Sequence, residues 1–223
     1  MPGAGGTVGT SYRQLTDGRL AGRERAVVAI RVLRVDGWSE EDLRRALAGT
    51  VRRIVRRLGT LAARPLGVPA ALRVLAELAH HDGEPVRESW PAIRSGSLVQ
   101  ATFRLIEWPD ADATGARRLV PRLLALPATA TTVSISSGPS PSTGAVDVPT
   151  ELTVRLATGT ATDLAAATEA LIRLVTDLGG KLRRLDGAHL SGLAATLPLA
   201  LTAPGRSHTR RWTTGSCPWA TRG

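Results

Sequence analysis

The stretch Thr150–Leu185, TELTVRLATGTATDLAAATEALIRLVTDLGGKLRRL, decides the fold. Its first nine residues, TELTVRLAT (Thr150–Thr158), read as a strand. The next segment is rich in Ala and Leu and free of Pro, so it reads as a helix, with Thr162 or Asp163 near its cap. Gly179 and Gly180 stop that helix, and KLRRL can form a short returning strand.

Upstream, SLVQATFRLIEW (Ser97–Trp108) alternates and puts Val99, Ala101, Phe103 and Leu105 on one face. A helix is expected over 113–126, and ATATTVSIS (Ala128–Ser136) reads as another strand. SGPSPSTG then supplies a surface turn into Thr150. Residues 97–185 therefore read strand–helix–strand–strand–helix–strand, the split βαβ order of ferredoxin-like folds. The predicted class is an α/β (α+β) sandwich.

The N-terminal third predicts a strand–helix layer added to this unit. RAVVAIRVLR (Arg25–Arg34) has the β-branched content of a buried strand. Ser39 followed by Glu40, Glu41 and Asp42 is a helix start, with Asp42 at the capping-box position. Leu43, Leu47, Val51, Ile54 and Leu58 then fall on one helical stripe, while Arg45, Arg52, Arg53, Arg56 and Arg57 fall mostly on the opposite side. A second helix follows, with Pro69 suited to its first turn and an end near Ala79. Residues 1–20, rich in Gly and Thr, read as a flexible start. Residues 21–203 read as one composite domain and 204–223 as a disordered tail.

Charge is unevenly placed along the 223 residues, which carry a formal net charge of +10. Residues 1–64 hold 13 Arg against 6 acids, whereas 65–203 hold 12 basic residues against 13 acids. The positive field thus belongs to the N-terminal third and the tail. That suits a localised contact with an anionic leaflet or an acidic partner better than a wholly basic nucleic-acid binder. The bland reading of the arginine face is a solvated helix surface. A free ferredoxin-like module binding nucleic acid or a nucleotide is the alternative. It ranks lower because the strands at 97–108 and 128–136 offer only Phe103 and Trp108 for base stacking.

Catalytic chemistry is not legible. GAGGTVG lacks the spacing and preceding strand of a dinucleotide loop, and GGK at Gly179–Lys181 lacks the rest of a phosphate loop. His80, His81, Asp82 and Glu84 lie close together, but neighbours in a turn seldom converge on one ion, so no metal site is expected. No nucleophile triad can be assembled, and no cofactor is expected. Cys217 is the only cysteine, which excludes an intrachain disulfide and suits a reducing compartment. The start of the sequence lacks the basic and apolar regions of a secretory signal. HLSGLAATLPLAL (His189–Leu201) is too short and too interrupted by Pro198 to span a bilayer, and reads as a terminal helix.

Five segments in order, YRQLT (Tyr12–Thr16), VRESW (Val86–Trp90), QATFRLIEWPD (Gln100–Asp110), LLALPATATTVSI (Leu123–Ile135) and LRRLDGAHLSGLAATLPLA (Leu182–Ala200), resemble the cytoplasmic domain of the EccE family. These are components of the actinobacterial type VII (ESX) secretion machinery. The resemblance covers most of residues 12–200. It implies a non-catalytic subunit at the cytoplasmic face of the inner membrane, with EccB, EccC and EccD as partners and EccC as the ATPase. Family members carry two transmembrane helices before this domain, and the sequence as written holds no counterpart of them.

Overall fold

The computed structural model describes residues 6–15, 23–32, 36–59, 65–80, 83–109, 119–137 and 150–199. Its centre is the split βαβ unit. Strand β5 (Leu98–Glu107) leads to helix α3 (Leu119–Leu124), β6 (Ala130–Ser137) and β7 (Thr150–Thr158). Helix α4 (Ala161–Asp177) and strand β8 (Lys181–Arg184) complete it. The strands lie in the order β8-β5-β7-β6, all antiparallel. This is the strand order of the ferredoxin-like arrangement expected from the sequence, within an α+β sandwich.

Alternation explains why the sheet has two different faces. On β5 and β7, Ala101 stands opposite Leu156 and Phe103 opposite Val154, and on β6 Val133 stands opposite Val154. These side chains form the main core with Leu119, Leu123, Leu164, Ala167, Leu171 and Val175 of α3 and α4. Each such apolar side chain sealed from water contributes about 1.5–3 kcal/mol. Thr160 caps α4: its Oγ1 accepts the Asp163 N–H at 3.1 Å. The cap therefore lies two residues before the earliest position read from the sequence, because the strand ends at Thr158 and the chain turns at once.

Two additions extend the sheet to eight strands. A hairpin of β1 (Gly6–Leu15) and β2 (Arg23–Val32) joins along β6, with β2 outermost. Short strands β3 (Arg87–Glu88) and β4 (Ile93–Ser95) join beside the start of β5. The expectation of a flexible segment over 1–20 is corrected at Gly6–Leu15. There all ten residues pair with β2 and Val8–Leu15 pair with β6 as well, so backbone bonding overrides their Gly content. The short strands β3 and β4 carry too few residues to show a period and were not expected. Helix α1 (Glu40–Leu58) packs on β2, and α2 (Val68–Ala79) follows with Pro in its first turn, as predicted. The helix expected over 113–126 is described only at Leu119–Leu124. Residues 110–118, the 138–149 turn, His81, Asp82 and the 204–223 tail lie outside the described residues.

The second face of the sheet is polar yet also buried. It carries Gln100, Thr102 and Arg104 of β5, Glu151, Thr153 and Arg155 of β7, and Thr132, Ser134 and Ser136 of β6. Helix α5 (His189–Thr196) lies over it, and the end of α2 reaches it at Arg155. Among the described residues no helix is long and apolar enough to cross a membrane.

Candidate docking face

Helix α1 begins where its sequence says it should. The Ser39 hydroxyl accepts the Asp42 N–H at 3.1 Å, and the Asp42 carboxylate accepts the Ser39 N–H at 3.0 Å. The Ser39 hydroxyl also donates to Asp42 Oδ2 at 2.6 Å, and this bond, then the Ser39 N–H and the nearby Arg45 charge, hold the Asp42 carboxyl below its usual range. Glu40, Glu41 and Asp42 complement the positive helix start, and Arg56 and Arg57 the negative end.

The five arginines named from the sequence divide into two groups. Arg45 is engaged within its own turn, 3.3 Å from Asp42 and 3.8 Å from Glu41, much as Arg44 is with Glu40. Arg52, Arg53, Arg56 and Arg57 are exposed and make no ion pair with any described residue. Arg52 and Arg56, and likewise Arg53 and Arg57, are spaced i,i+4, where like charges repel by about 0.2–0.5 kcal/mol per pair. The second half of α1 is thus a dense cationic surface that its own helix does not neutralise. No described side chain of α1 is buried, and Leu47 on the apolar stripe is 41% exposed.

The polar face behind it is built for structure. Arg155 donates to Gln100 Oε1 at 2.5 Å, to Thr132 Oγ1 at 3.4 Å and to the Leu78 carbonyl in the last turn of α2. Ser95 Oγ donates to the Ala79 and His80 carbonyls at 3.1 and 3.0 Å. Helix ends leave carbonyls without helical partners, and here a cation and a hydroxyl from the sheet satisfy them. His80 closes the helix in the left-handed region, φ 53°.

Three of the family-like segments meet in one clasp. Gly187 N–H donates to the Trp90 carbonyl at 2.9 Å, and Arg184 donates to the Pro91 carbonyl. The Leu190 N–H in the first turn of α5 donates to Glu88 Oε1 at 3.0 Å. His189 Nδ1 accepts the Thr102 N–H at 3.3 Å, so the neutral ring carries its proton on Nε2, 3.7 Å from Asp186. Burial and then the Arg184 charge lower the affinity of His189 for a second proton, against the pull of Asp186, the Trp90 backbone and Glu88. A Cβ on Gly192 would stand 2.8 Å from Thr102, so α5 approaches the sheet where only glycine permits it.

Sequence reading missed Arg155, Gln100, His189 and Glu88. The available signal was the polar half of the alternation in QATFR and ELTVR, whose residues are buried. Phe103 is buried in the core and Trp108 packs against it, so neither presents a free stacking surface. Among the described residues no three His, Cys, Asp or Glu side chains are grouped to hold a metal ion. No protein-family model matches the sequence, and no characterised protein matches it significantly.

Proposed function

We propose that this protein is a non-catalytic accessory subunit of an actinobacterial type VII (ESX) secretion complex, docked at the cytoplasmic face of the inner membrane. The observation that carries the reading is the convergence of VRESW, QATFRLIEWPD and LRRLDGAHL, the segments resembling EccE, on one clasp of named hydrogen bonds. Residues far apart in sequence that answer to one family also answer to one another in space. The surface proposed to dock is the Arg52, Arg53, Arg56 and Arg57 face of α1, whose cations make no ion pair with any described residue. Facing an anionic leaflet, each such cation contributes about 1 kcal/mol. Partners on this reading are EccB, EccC and EccD.

Co-purification tests it. The intact protein should be recovered with a tagged EccB–EccC–EccD assembly at physiological salt. Replacing Arg52, Arg53, Arg56 and Arg57 together by Glu should reduce recovery and remove binding to vesicles containing anionic lipid. Absence of recovery even at low salt would overturn the proposal. The alternative, single-stranded RNA binding through the same arginines, predicts a steep fall in affinity with salt.

A further inference from the structure

We propose that α5 is a proton-operated latch: a second proton on His189 releases this helix from the sheet while the main core stays closed. His189 is fully buried in the first turn of α5. Its Nδ1 accepts the Thr102 N–H at 3.3 Å, a bond that ties α5 to β5. An imidazole nitrogen accepts only when it carries no hydrogen, so the neutral ring holds its one proton on Nε2. A proton taken up from solvent must therefore go to Nδ1, which sets two N–H groups against each other. The closed bond and the imidazolium exclude one another.

The charges around the ring do not offset that conflict. Asp186 lies 3.7 Å from Nε2, but its carboxylate is shared with Arg184 at 3.0 Å. Glu88 of β3 accepts the Leu190 N–H at 3.0 Å. The sheet face beneath α5 adds Arg104 of β5 with Glu151 and Arg155 of β7, whereas β6 presents Thr132, Ser134 and Ser136 there. Burial and then the Arg184 charge disfavour the protonated ring, against the pull of Asp186, the Trp90 backbone and Glu88. Released α5 thus takes up the proton more readily than closed α5, and release grows as pH falls below about 6.5.

The helix is also built to move by itself. Leu185 and Ala195, with Ala188, form an apolar cluster separate from the main core of α3 and α4. Helix α5 has eight residues, and Ala188 at its N-cap supplies no side-chain bond. Short elements with few core contacts open before the rest of a fold. Release parts Leu190 from Glu88 and uncovers the polar sheet face at Thr102, where Gly192 now packs closely.

Hydrogen exchange on the full chain, corrected for the intrinsic pH dependence of exchange, tests the latch. The α5 amides should exchange faster than those of α4 at every pH, with little sensitivity to low denaturant. Between pH 7.5 and 5.5 the α5 opening constant should rise by up to about tenfold, the limit for one linked proton. His189→Asn keeps an acceptor for the Thr102 N–H without a titrating ring, and should remove this rise. On the unmodified protein, NMR titration should show the His189 ring and the Thr102 amide changing together, below pH 6.5. Protection of α5 equal to that of α4 throughout, a rise that survives in His189→Asn, or a His189 titration at or above 6.5 would each overturn the proposal.

Discussion

Replacing Arg155 by Met tests the claim that the polar face of the sheet holds α2 in place. Met keeps the aliphatic length of the side chain, so the change removes chiefly the guanidinium. Two strong bonds disappear, to Gln100 Oε1 at 2.5 Å and to the Leu78 carbonyl, together with the weaker contact to Thr132 at 3.4 Å. Arg155 and Gln100 are both fully buried, so water cannot replace the lost donor. Each stranded buried acceptor costs about 1–3 kcal/mol, which gives a loss of about 4 kcal/mol for the pair. At this chain length a kilocalorie shifts the melting temperature by roughly 2–4 °C, so the midpoint should fall by about 8–16 °C. Urea denaturation should give the same free energy, and hydrogen exchange should show the last turn of α2 opening first. Adding Gln100→Leu should restore about 1–2 kcal/mol, because that acceptor is then absent rather than stranded. A loss below about 1 kcal/mol for Arg155→Met, or no recovery in the double variant, would refute the assignment of Arg155 as the cap of α2.

Gly187→Ala forces a side chain onto a residue at φ +67°, with a Cβ 2.7 Å from the Trp90 ring. The backbone alone costs about 1–2 kcal/mol, and the ring must swing out, so a thermal melt should show destabilisation while Trp fluorescence shifts. Trp90→Ala in that background should remove the fluorescence shift and leave the backbone cost. For His189, the folded state binds a proton less readily than the ordinary imidazole value of 6.5. The unfolded chain therefore takes up protons first, and stability should fall as pH drops below about 6.5 until the folded-state value is passed. His189→Asn, which keeps an acceptor for the Thr102 N–H without a titrating ring, should flatten the melting temperature between pH 7 and 5. An unchanged slope would show that His189 is not the responsible group.

The central unit was legible because its signals are local. Alternation marked β5, the turn signal SGPSPSTG separated β6 from β7, the Ala/Leu run with a glycine stop marked α4, and Ser39 with Asp42 marked α1. Strand β1 was not legible, because Gly6 and Gly9 weaken its strand signal despite Thr7, Val8, Thr10 and Tyr12, and the pairing that holds it comes from β2 and β6. Strands β3 and β4 pair locally, β3 with β4 and β4 with the start of β5, but with two and three residues they are too short to show a period, and Trp90 and Pro91 between them are held by the distant Gly187 and Arg184. On the candidate site, the sequence separated arginines from the apolar stripe of α1. The same helical spacing also distinguishes Arg45, tied to Asp42 and Glu41, from the four that have no acid one turn away. That distinction follows from where the acids fall along one helix turn.

The buried polar face also changes what the charge count means. A polar residue at every second position of a strand ordinarily marks the solvent side. Here Gln100, Thr102, Arg104, Thr153 and Arg155 are as well buried as the apolar residues between them, because α5 and the end of α2 close over them. Several cations of the central body thereby acquire fixed internal tasks. Arg155 serves the end of α2, Arg184 lies 3.0 Å from Asp186 while donating to Pro91, and Lys181 lies 3.3 Å from Glu107. Near-neutrality of residues 65–203 is thus partly neutrality by contact. The cations of the second half of α1 have no such assignment, although their mutual repulsion makes a neighbouring anion favourable. Helix α1 carries six Arg against three acids, and the four that make no ion pair with a described residue all lie in its second half, so the first place to seek a partner is the stretch that carries Arg52, Arg53, Arg56 and Arg57.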